Sequence, residues 1–136
     1  IYVHEERTAG FKEAVKKIHG LEYVIIGNWD YQKQAKKELE KSEKKTAFLC
    51  TGHMFALNLI RMFEKNGKRA GQDYGIMGYD NIDFLEYVTP RLTTIDNHVE
   101  KVAEEAFNLL LQLMENKNVA ETERILETVT VQGETI

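Results

Sequence analysis

Three side chains at predicted strand ends and helix starts have the chemistry of a binding site for a small polar ligand. Asp80 follows a short apolar run and only accepts hydrogen bonds, so it suits paired hydroxyl or amine donors. Arg7 is predicted in the first turn of a helix, where a cation opposes the positive helix end and calls for an anion or polar ligand. Trp29 follows Gly27-Asn28, and its flat ring suits a sugar ring or a base. Two of them also have ordinary interpretations, a turn aspartate for Asp80 and a hydrophobic plug for Trp29.

The sequence lacks the motifs of common catalytic sites. No G-x-S-x-G elbow, P-loop or G-x-G-x-x-G occurs in it. The four histidines, at positions 4, 19, 53 and 98, form no i, i+4 pair and have no cysteine partner, so we expect no metal site. We therefore predict a binding protein without a cofactor, and not an enzyme.

Composition narrows the class of partners. The 136 residues carry a net charge of −4 with lysines and glutamates interleaved, so the chain offers no basic face to nucleic acid. No apolar run approaches the roughly 20 residues needed to span a bilayer, so no membrane partner is expected, and no signal peptide is evident. The single cysteine, Cys50, excludes an intrachain disulfide and favours a reducing, cytoplasmic compartment. Its apolar neighbours predict a small buried hydrophobe.

The hydrophobic pattern predicts alternating helices and strands. Apolar residues at helical spacing predict helices at 6–19, after a cap at Asp30, at 53–66 and at 99–116. Short apolar runs predict buried strands at 21–26, 46–51, 74–78 and 92–95, and alternation predicts a last strand at 124–132. Residues 1–3 fit either a strand end or a loop. The succession predicts an α/β fold with parallel strands and right-handed crossovers, in which ligands collect beyond the carboxyl ends of the strands.

The helix predicted at 53–66 is apolar almost all round. Such a helix in a soluble protein has to be covered on two sides, by its own sheet and by a second surface. A partner subunit is the simplest second cover, so the pattern predicts a homodimer.

Several motifs resemble one family of bacterial proteins. The run I-M-G-Y-D-N, followed by Y-V-T-P-R-L-T-T-I, is similar to the signature near the end of the effector-binding domain in the lactose repressor/purine repressor (LacI/GalR) family of transcription regulators. The resemblance continues upstream in the run R-T-A-G-F at 7–11 and downstream at 106–111 and 130–135. It covers nearly the whole chain.

This resemblance implies the fold of periplasmic sugar-binding proteins, with two α/β subdomains around a cleft and three chain crossovers between them. Residues 1–95 would then form the C-terminal subdomain, a three-layer α/β/α unit of type I that is incomplete because its first strand is missing. Residues 96–122 would form a crossover and a helix of the N-terminal subdomain, and residues 123–136 would return as a final strand. The apolar face of the helix at 99–116 would therefore have nothing of its own to cover.

The resemblance also implies roles for single residues. Arg7 matches the family's cleft arginine, Trp29 its stacking aromatic and Asp80 its cleft aspartate, while Asn97 falls where a crossover residue reaches the ligand. The chain departs from the family at Gly52-His53, where an Asn/Ser-Asp pair is usual, so a side-chain donor and acceptor are missing. His53 either supplies a substitute hydrogen bond to the ligand or merely caps its helix.

The family's dimer is built on the surface that corresponds to the apolar helix at 53–66. The resemblance thus places residues of this helix and of the loop after Asp80 at a homodimer contact: Met54, Phe55, Asn58, Leu59, Met62, Phe84, Leu85 and Tyr87.

The implied function is the sensing of a small effector, a sugar or sugar derivative, between two subdomains. The effector would favour one closure angle, which the dimer would transmit to helix-turn-helix DNA-binding heads that are absent from this chain. DNA would be contacted only through those heads. The alternative is an extracytoplasmic sugar-binding protein of the same fold without a DNA-binding head.

Overall fold

Helices and strands alternate along the part of the chain that the computed structural model describes, residues 2–27, 29–115, 119 and 122–136. The helices are α1 (Tyr2–Val15), α2 (Tyr31–Lys41), α3 (His53–Glu64) and α4 (Val99–Met114), with a short 3-10 helix at Asp83–Tyr87. The strands are β1 (Ala47–Leu49), β2 (Gly75–Tyr79), β3 (Thr93–Asp96) and β4 (Val129–Val131). This confirms the predicted α/β class.

The strands form one four-stranded sheet in the order β1-β2-β3-β4. The first three are parallel, with Phe48 opposite Ile76 and Gly78 opposite Thr94. β4 pairs antiparallel to β3, so the sheet is mixed: the predicted parallel pairing holds for β1, β2 and β3, and the last strand runs in the opposite direction.

The prediction of a buried strand at 21–26 is wrong. The structure shows these residues outside the sheet, and Leu21, Tyr23, Val24 and Ile25 are between 45% and 61% exposed. Two side-chain contacts connect this segment to the rest of the chain. The Tyr23 ring packs edge-on against Phe11, with ring centroids 5.6 Å apart. Glu22 forms an ion pair with Lys44 at 2.9 Å. A β-branched apolar run thus lies beside the sheet without a strand partner among the described residues.

Several predicted boundaries also shift. The first helix begins at Tyr2 and ends at Val15, so Arg7 lies in its second turn and not in the first. The strands predicted at 46–51 and 124–132 shorten to β1 and β4. Ile1 and Asn116 lie outside the described residues.

The core lies between α3, the sheet and α2. Ala56, Ile60 and Phe63 of α3 are buried, and the Phe63 ring packs against Phe48 and Tyr74 at 5.4 and 4.8 Å between centroids. Cys50 is buried in the same cluster, as predicted, and burial raises the pKa of its thiol to about 12. This thiol is therefore protonated and inert in the folded chain.

The second cover of α3 comes largely from within the chain. Tyr31 at the start of α2 packs edge-on against Phe55, with centroids 5.2 Å apart, and its hydroxyl accepts a hydrogen bond from Asn58 Nδ2 at 3.2 Å. Part of the second cover of α3 is therefore supplied by α2, and Met54 on the same helix remains 56% exposed. Leu59 and Leu85, expected at a dimer contact, are 4% and 2% exposed because they pack into the chain's own core.

Hydrogen bonds connect the C-terminal residues to the first residues of β2 and β3. The buried Thr135 hydroxyl donates to the Ile76 carbonyl at 2.6 Å and accepts from the Thr93 amide at 2.9 Å. The Thr135 carbonyl also accepts from the Ile76 amide at 2.8 Å. One side chain thus satisfies backbone groups of both β2 and β3, where an unpaired group would be costly.

Thr135→Val is expected to lower the free energy of unfolding by about 2–6 kcal/mol. Valine has the same shape but leaves the Thr93 amide and the Ile76 carbonyl without their partner, at about 1–3 kcal/mol for each buried group. Urea unfolding of both proteins measures the loss. Thr135→Ser keeps the hydroxyl and should lose far less, so an equal loss in both variants would show that the methyl group, and not the hydroxyl, carries the effect.

The apolar face of α4 is uncovered, which confirms that expectation. No residue of this helix is buried, and its exposed apolar side chains include Val102, Leu110 and Leu113. α4 packs extensively on no other helix or strand of the described residues. No helix in the described part of the chain is both long and apolar enough to cross a membrane.

Candidate functional site

Polar side chains from four elements meet beyond the carboxyl ends of β1, β2 and β3. Asp80 directly follows β2, and Asn97 directly follows β3. His53 is the first residue of α3, after the β1 end, and α1 brings Arg7 to the same place. The edge of a parallel sheet where strands end is where ligands are expected, because turn residues and backbone groups converge there.

Arg7 is held by three contacts. Its Nη1 donates to the Thr51 carbonyl at 2.6 Å, and its Nη2 donates to Asp80 Oδ1 at 2.9 Å. The guanidinium lies over the Tyr79 ring, 4.2 Å from the centroid, in the geometry of a cation–π contact. The Arg7 and Asp80 side chains are 17% and 28% exposed, so the ion pair is partly withdrawn from water but still reachable by a ligand.

Asp80 is fixed by its backbone as well as by Arg7. Its φ is +69°, in the left-handed region that aspartate tolerates better than most residues. Its amide donates to the Ile95 carbonyl at 2.9 Å, and its Oδ1 also accepts from Asn97 Nδ2. One carboxylate oxygen is thus shared by a cation and an amide, which leaves Oδ2 open towards His53.

The crossover after β3 is tied to the loop after β2 by a second set of hydrogen bonds. Asn81 Nδ2 donates to Asp96 Oδ2 at 3.4 Å, and Thr94 Oγ1 donates to Asn81 Oδ1 at 3.3 Å. Asp96 Oδ1 accepts from the His98 amide at 2.7 Å just before α4 begins. The path from the site to α4 is therefore short and hydrogen-bonded.

His53 points its Nδ1 at Asp80. The two atoms His53 Nδ1 and Asp80 Oδ2 are 4.0 Å apart, and Nδ1 is buried without a hydrogen-bond partner. Helix α3 starts without a side-chain cap from Gly52. His53 Nδ1 therefore faces the polar cluster and makes no capping hydrogen bond to α3.

Trp29 is not part of this cluster. Its side chain is 91% exposed, and its carbonyl accepts a hydrogen bond from Gln34 Nε2 at 3.1 Å. The physical reason is that Trp29 continues the segment that lies outside the sheet, so it does not reach the strand ends where Arg7 and Asp80 meet. The structure brings together Arg7, Asp80, Asn97 and His53 and leaves Trp29 apart.

The sequence interpretation missed two groups of the site. The Tyr79 ring supports Arg7, and the Thr51 carbonyl binds it. An aromatic residue directly before a strand-end aspartate was a usable signal for Tyr79. A backbone carbonyl leaves no such signal, because every residue has one. Within the described residues, no group of three or more His, Cys, Asp and Glu side chains is placed to hold a metal ion.

A cavity of about 370 Å³ lies next to the cluster, between α4 and the segment that leads to β4. Its walls are mainly apolar and include Val102, Ala106, Leu109 and Leu126, with Asn97 at the side of the site. An ion pair between Arg124 Nε and Glu105 Oε2, at 3.8 Å, joins the two sides. The cavity belongs to the uncovered face of α4, whereas the converging polar groups mark the candidate site.

Comparison with known proteins gives matches along nearly the whole chain. Residues 2–136 match the family described as a periplasmic binding protein-like domain. The HTH-type transcriptional repressor PurR of Vibrio atlanticus is 34% identical over 119 residues, which is 83% of this chain and 36% of that protein.

Two solved structures of LacI family transcriptional regulators, both described with bound ribose, are similar in sequence and fold. The structure from Enterococcus faecium is 28% identical to this chain, with a TM-score of 0.77. The match covers 97% of this chain and 51% of the Enterococcus faecium chain. The one from Enterococcus faecalis V583 is 27% identical with a TM-score of 0.79 and covers 97% and 49%. The chain therefore spans about half of these structures and about a third of its curated relative.

Proposed function

Since the chain belongs to the periplasmic binding protein-like domain family, as an effector-binding domain of the LacI/GalR type, we propose that it binds a small polar effector, a sugar or sugar derivative, and thereby controls DNA binding. The DNA would be held by a helix-turn-helix head in the whole protein. The observation that carries this proposal is the joining of Arg7, Asp80 and Asn97 at the strand ends.

The cluster has the donors and acceptors that a polyhydroxyl ligand needs. Arg7 and Asn97 carry N–H donors, and Asp80 is an acceptor that hydroxyl groups satisfy well. The site is small and partly withdrawn from water, which strengthens each hydrogen bond. The bound ribose in the two Enterococcus regulators supports the same class of ligand.

A regulator is favoured over an extracytoplasmic binding protein. The relative from Vibrio atlanticus is named as a helix-turn-helix repressor, and such a protein acts on DNA. We therefore place the whole protein in the cytoplasm. Its relatives are repressors and not enzymes, which agrees with a binding role for this chain.

The mechanism we propose is a shift between two closure states. In this proposal, residues 1–95 form the C-terminal subdomain and residues 96–122 belong to the N-terminal subdomain. Residues 123–136 return to the C-terminal subdomain. Asn97 bonds to Asp80 and lies two residues before α4, so a ligand at Asp80 changes the contacts that orient this helix. A ligand shifts the equilibrium only by the difference in its affinity for the two states.

The test uses the whole protein and a panel of aldopentoses, aldohexoses and nucleosides in a thermal-shift assay. At least one compound is expected to raise the unfolding temperature, and Asp80→Ala should weaken its binding by about 1.5–3 kcal/mol while the fold stays intact. The same compound should change binding to a DNA fragment that the protein selects from a genomic library. A panel without any stabilising compound would refute the proposal.

We also propose that the whole protein is a homodimer through the exposed part of the predicted surface. Met54, Phe84 and Tyr87 remain accessible, whereas Leu59 and Leu85 do not. Large exposed aromatic side chains are typical anchors of protein interfaces.

Phe84→Glu combined with Tyr87→Glu is expected to convert this dimer to a monomer. Two buried carboxylates at an interface cost several kcal/mol, which is at least a hundredfold in the dissociation constant. Sedimentation equilibrium measures the change. Trp29→Glu, at an aromatic side chain that is 91% exposed on another part of the chain, serves as the control and should leave the dimer intact. A double variant that remains a dimer would place the contact elsewhere.

A further inference from the structure

We propose that His53 and Asp80 together bind a single hydroxyl group of the effector. His53 Nδ1–H donates to the hydroxyl oxygen, and the hydroxyl proton is donated to Asp80 Oδ2. This inference rests on the proposed function and deepens it, because it makes His53 the residue that selects ligands with a hydroxyl group at this point.

The first support is a buried nitrogen without a hydrogen-bond partner. His53 Nδ1 has none, and Asp80 Oδ2, in a side chain that is 28% exposed, lies 4.0 Å from it. Buried polar groups without partners are rare and costly in folded proteins. His53 Nδ1 and Asp80 Oδ2 face each other but are not hydrogen-bonded.

The second support is the distance between them. At 4.0 Å the two atoms are too far apart for a direct hydrogen bond. An oxygen atom placed about 2.8 Å from each would see them at an angle of roughly 90°, which is compatible with one bond to each. The separation of the two atoms is therefore the one expected for two groups bridged by a single oxygen atom.

The gap is maintained by the surroundings of both residues. Asp80 is held through Oδ1 by Arg7 and Asn97, and its backbone is held by Ile95. His53 is the first residue of α3, whose next turn is anchored in the core by Ala56. Asp80 therefore cannot approach His53 without breaking its contacts, and the backbone of His53 is fixed by the anchored helix.

Charge decides which chemical group fits. A histidine nitrogen that faces a carboxylate is favoured with its proton on that nitrogen, because a lone pair there would be repelled. The bridging group must then accept from His53 and donate to Asp80. A hydroxyl group does both, whereas an ammonium group has no lone pair, an ether oxygen has no proton, and a carboxylate or phosphate would be repelled by Asp80.

The test compares His53→Asn with His53→Leu in the whole protein, with the tightest-binding compound of the sugar and nucleoside panel as ligand. The asparagine amide can place an N–H donor near the position of Nδ1, whereas leucine fills similar space without a donor. We expect binding within about threefold of the wild type for His53→Asn and about 10- to 100-fold weaker for His53→Leu. Unchanged unfolding temperatures in both variants show that the fold is intact.

Deoxy analogues of the same ligand locate the hydroxyl. One analogue should bind the wild type more weakly by a similar factor, and His53→Leu should add little to that loss because the bridged group is already gone. In the ligand-free protein, nitrogen chemical shifts from NMR should show the proton of His53 on Nδ1.

The outcomes separate this inference from the proposed function. If no compound of the panel binds the wild type, the proposed function fails and this inference fails with it. If a sugar binds but His53→Leu binds it equally well, or if His53 carries its proton only on Nε2, the proposed function stands and this inference is overturned.

Discussion

Arg7→Ala in the whole protein is expected to weaken effector binding by at least a hundredfold and to lower the free energy of unfolding by about 2–3 kcal/mol. The substitution removes the bonds to Thr51 and Asp80 and the contact with Tyr79 together. Breaking a buried ion pair costs about 3–5 kcal/mol, and the partial exposure of both side chains reduces this figure. Titration calorimetry and urea unfolding measure the two effects.

A double-variant cycle shows whether the ion pair itself is responsible. Asp80→Asn removes the charge that Arg7→Ala leaves without a partner, so the two losses of stability should not add, and the coupling is expected to be about 1–2 kcal/mol. Arg7→Lys serves as a further comparison, because lysine keeps the charge but cannot bond to Thr51 and Asp80 in a planar fork. Additive losses would mean that Arg7 stabilises α1 without acting through Asp80.

Much of the polar cluster could be predicted from sequence because its members lie directly after strands or within a motif. Asp80 and Asn97 follow runs that the hydrophobic pattern identifies as strands, and both lie at strand ends in the structure. Their convergence with Arg7 could not be derived from spacing alone, since Arg7 and Asp80 are 73 residues apart in the chain. It came from the resemblance to a family.

The misplaced elements share a physical cause. The run at 21–26 has strand-like composition, but whether it pairs depends on a neighbour elsewhere in the chain, and composition does not reveal that neighbour. Trp29 follows this run, which is why it lies apart from the polar cluster. The antiparallel direction of β4 likewise depends on its pairing with β3, far away in the sequence, which no local pattern determines.

The apolar pattern of α3 predicts two covered faces, and part of the second cover comes from the chain itself. Periodicity shows that a face is buried, and it does not show whether the covering surface belongs to the same chain. Tyr31 of α2 covers Phe55, and the core takes up Leu59. The remaining exposed side chains are a smaller candidate interface than the sequence suggested.

The uncovered face of α4 leads to the second large effect. Leu110 and Leu113 are 52% and 48% exposed, and full burial of such side chains is worth about 1.5–3 kcal/mol each. In the proposed arrangement this face packs against the N-terminal subdomain of the whole protein. Leu110→Glu combined with Leu113→Glu is therefore expected to destabilise the whole protein by about 3–5 kcal/mol, because two charged groups would replace buried leucines.

In the 136-residue chain by itself, the same double variant is expected to reduce self-association. There the face lies in water, where it promotes self-association, and two carboxylates make it polar. We expect the unsubstituted chain to associate in light scattering and the double variant to remain monomeric. Asn108→Glu with Gln112→Glu adds the same charge to the largely polar side of α4 and controls for charge alone. If the leucine variant leaves the stability of the whole protein unchanged, α4 faces solvent there as well, and the proposed assignment of residues 96–122 to the N-terminal subdomain is wrong.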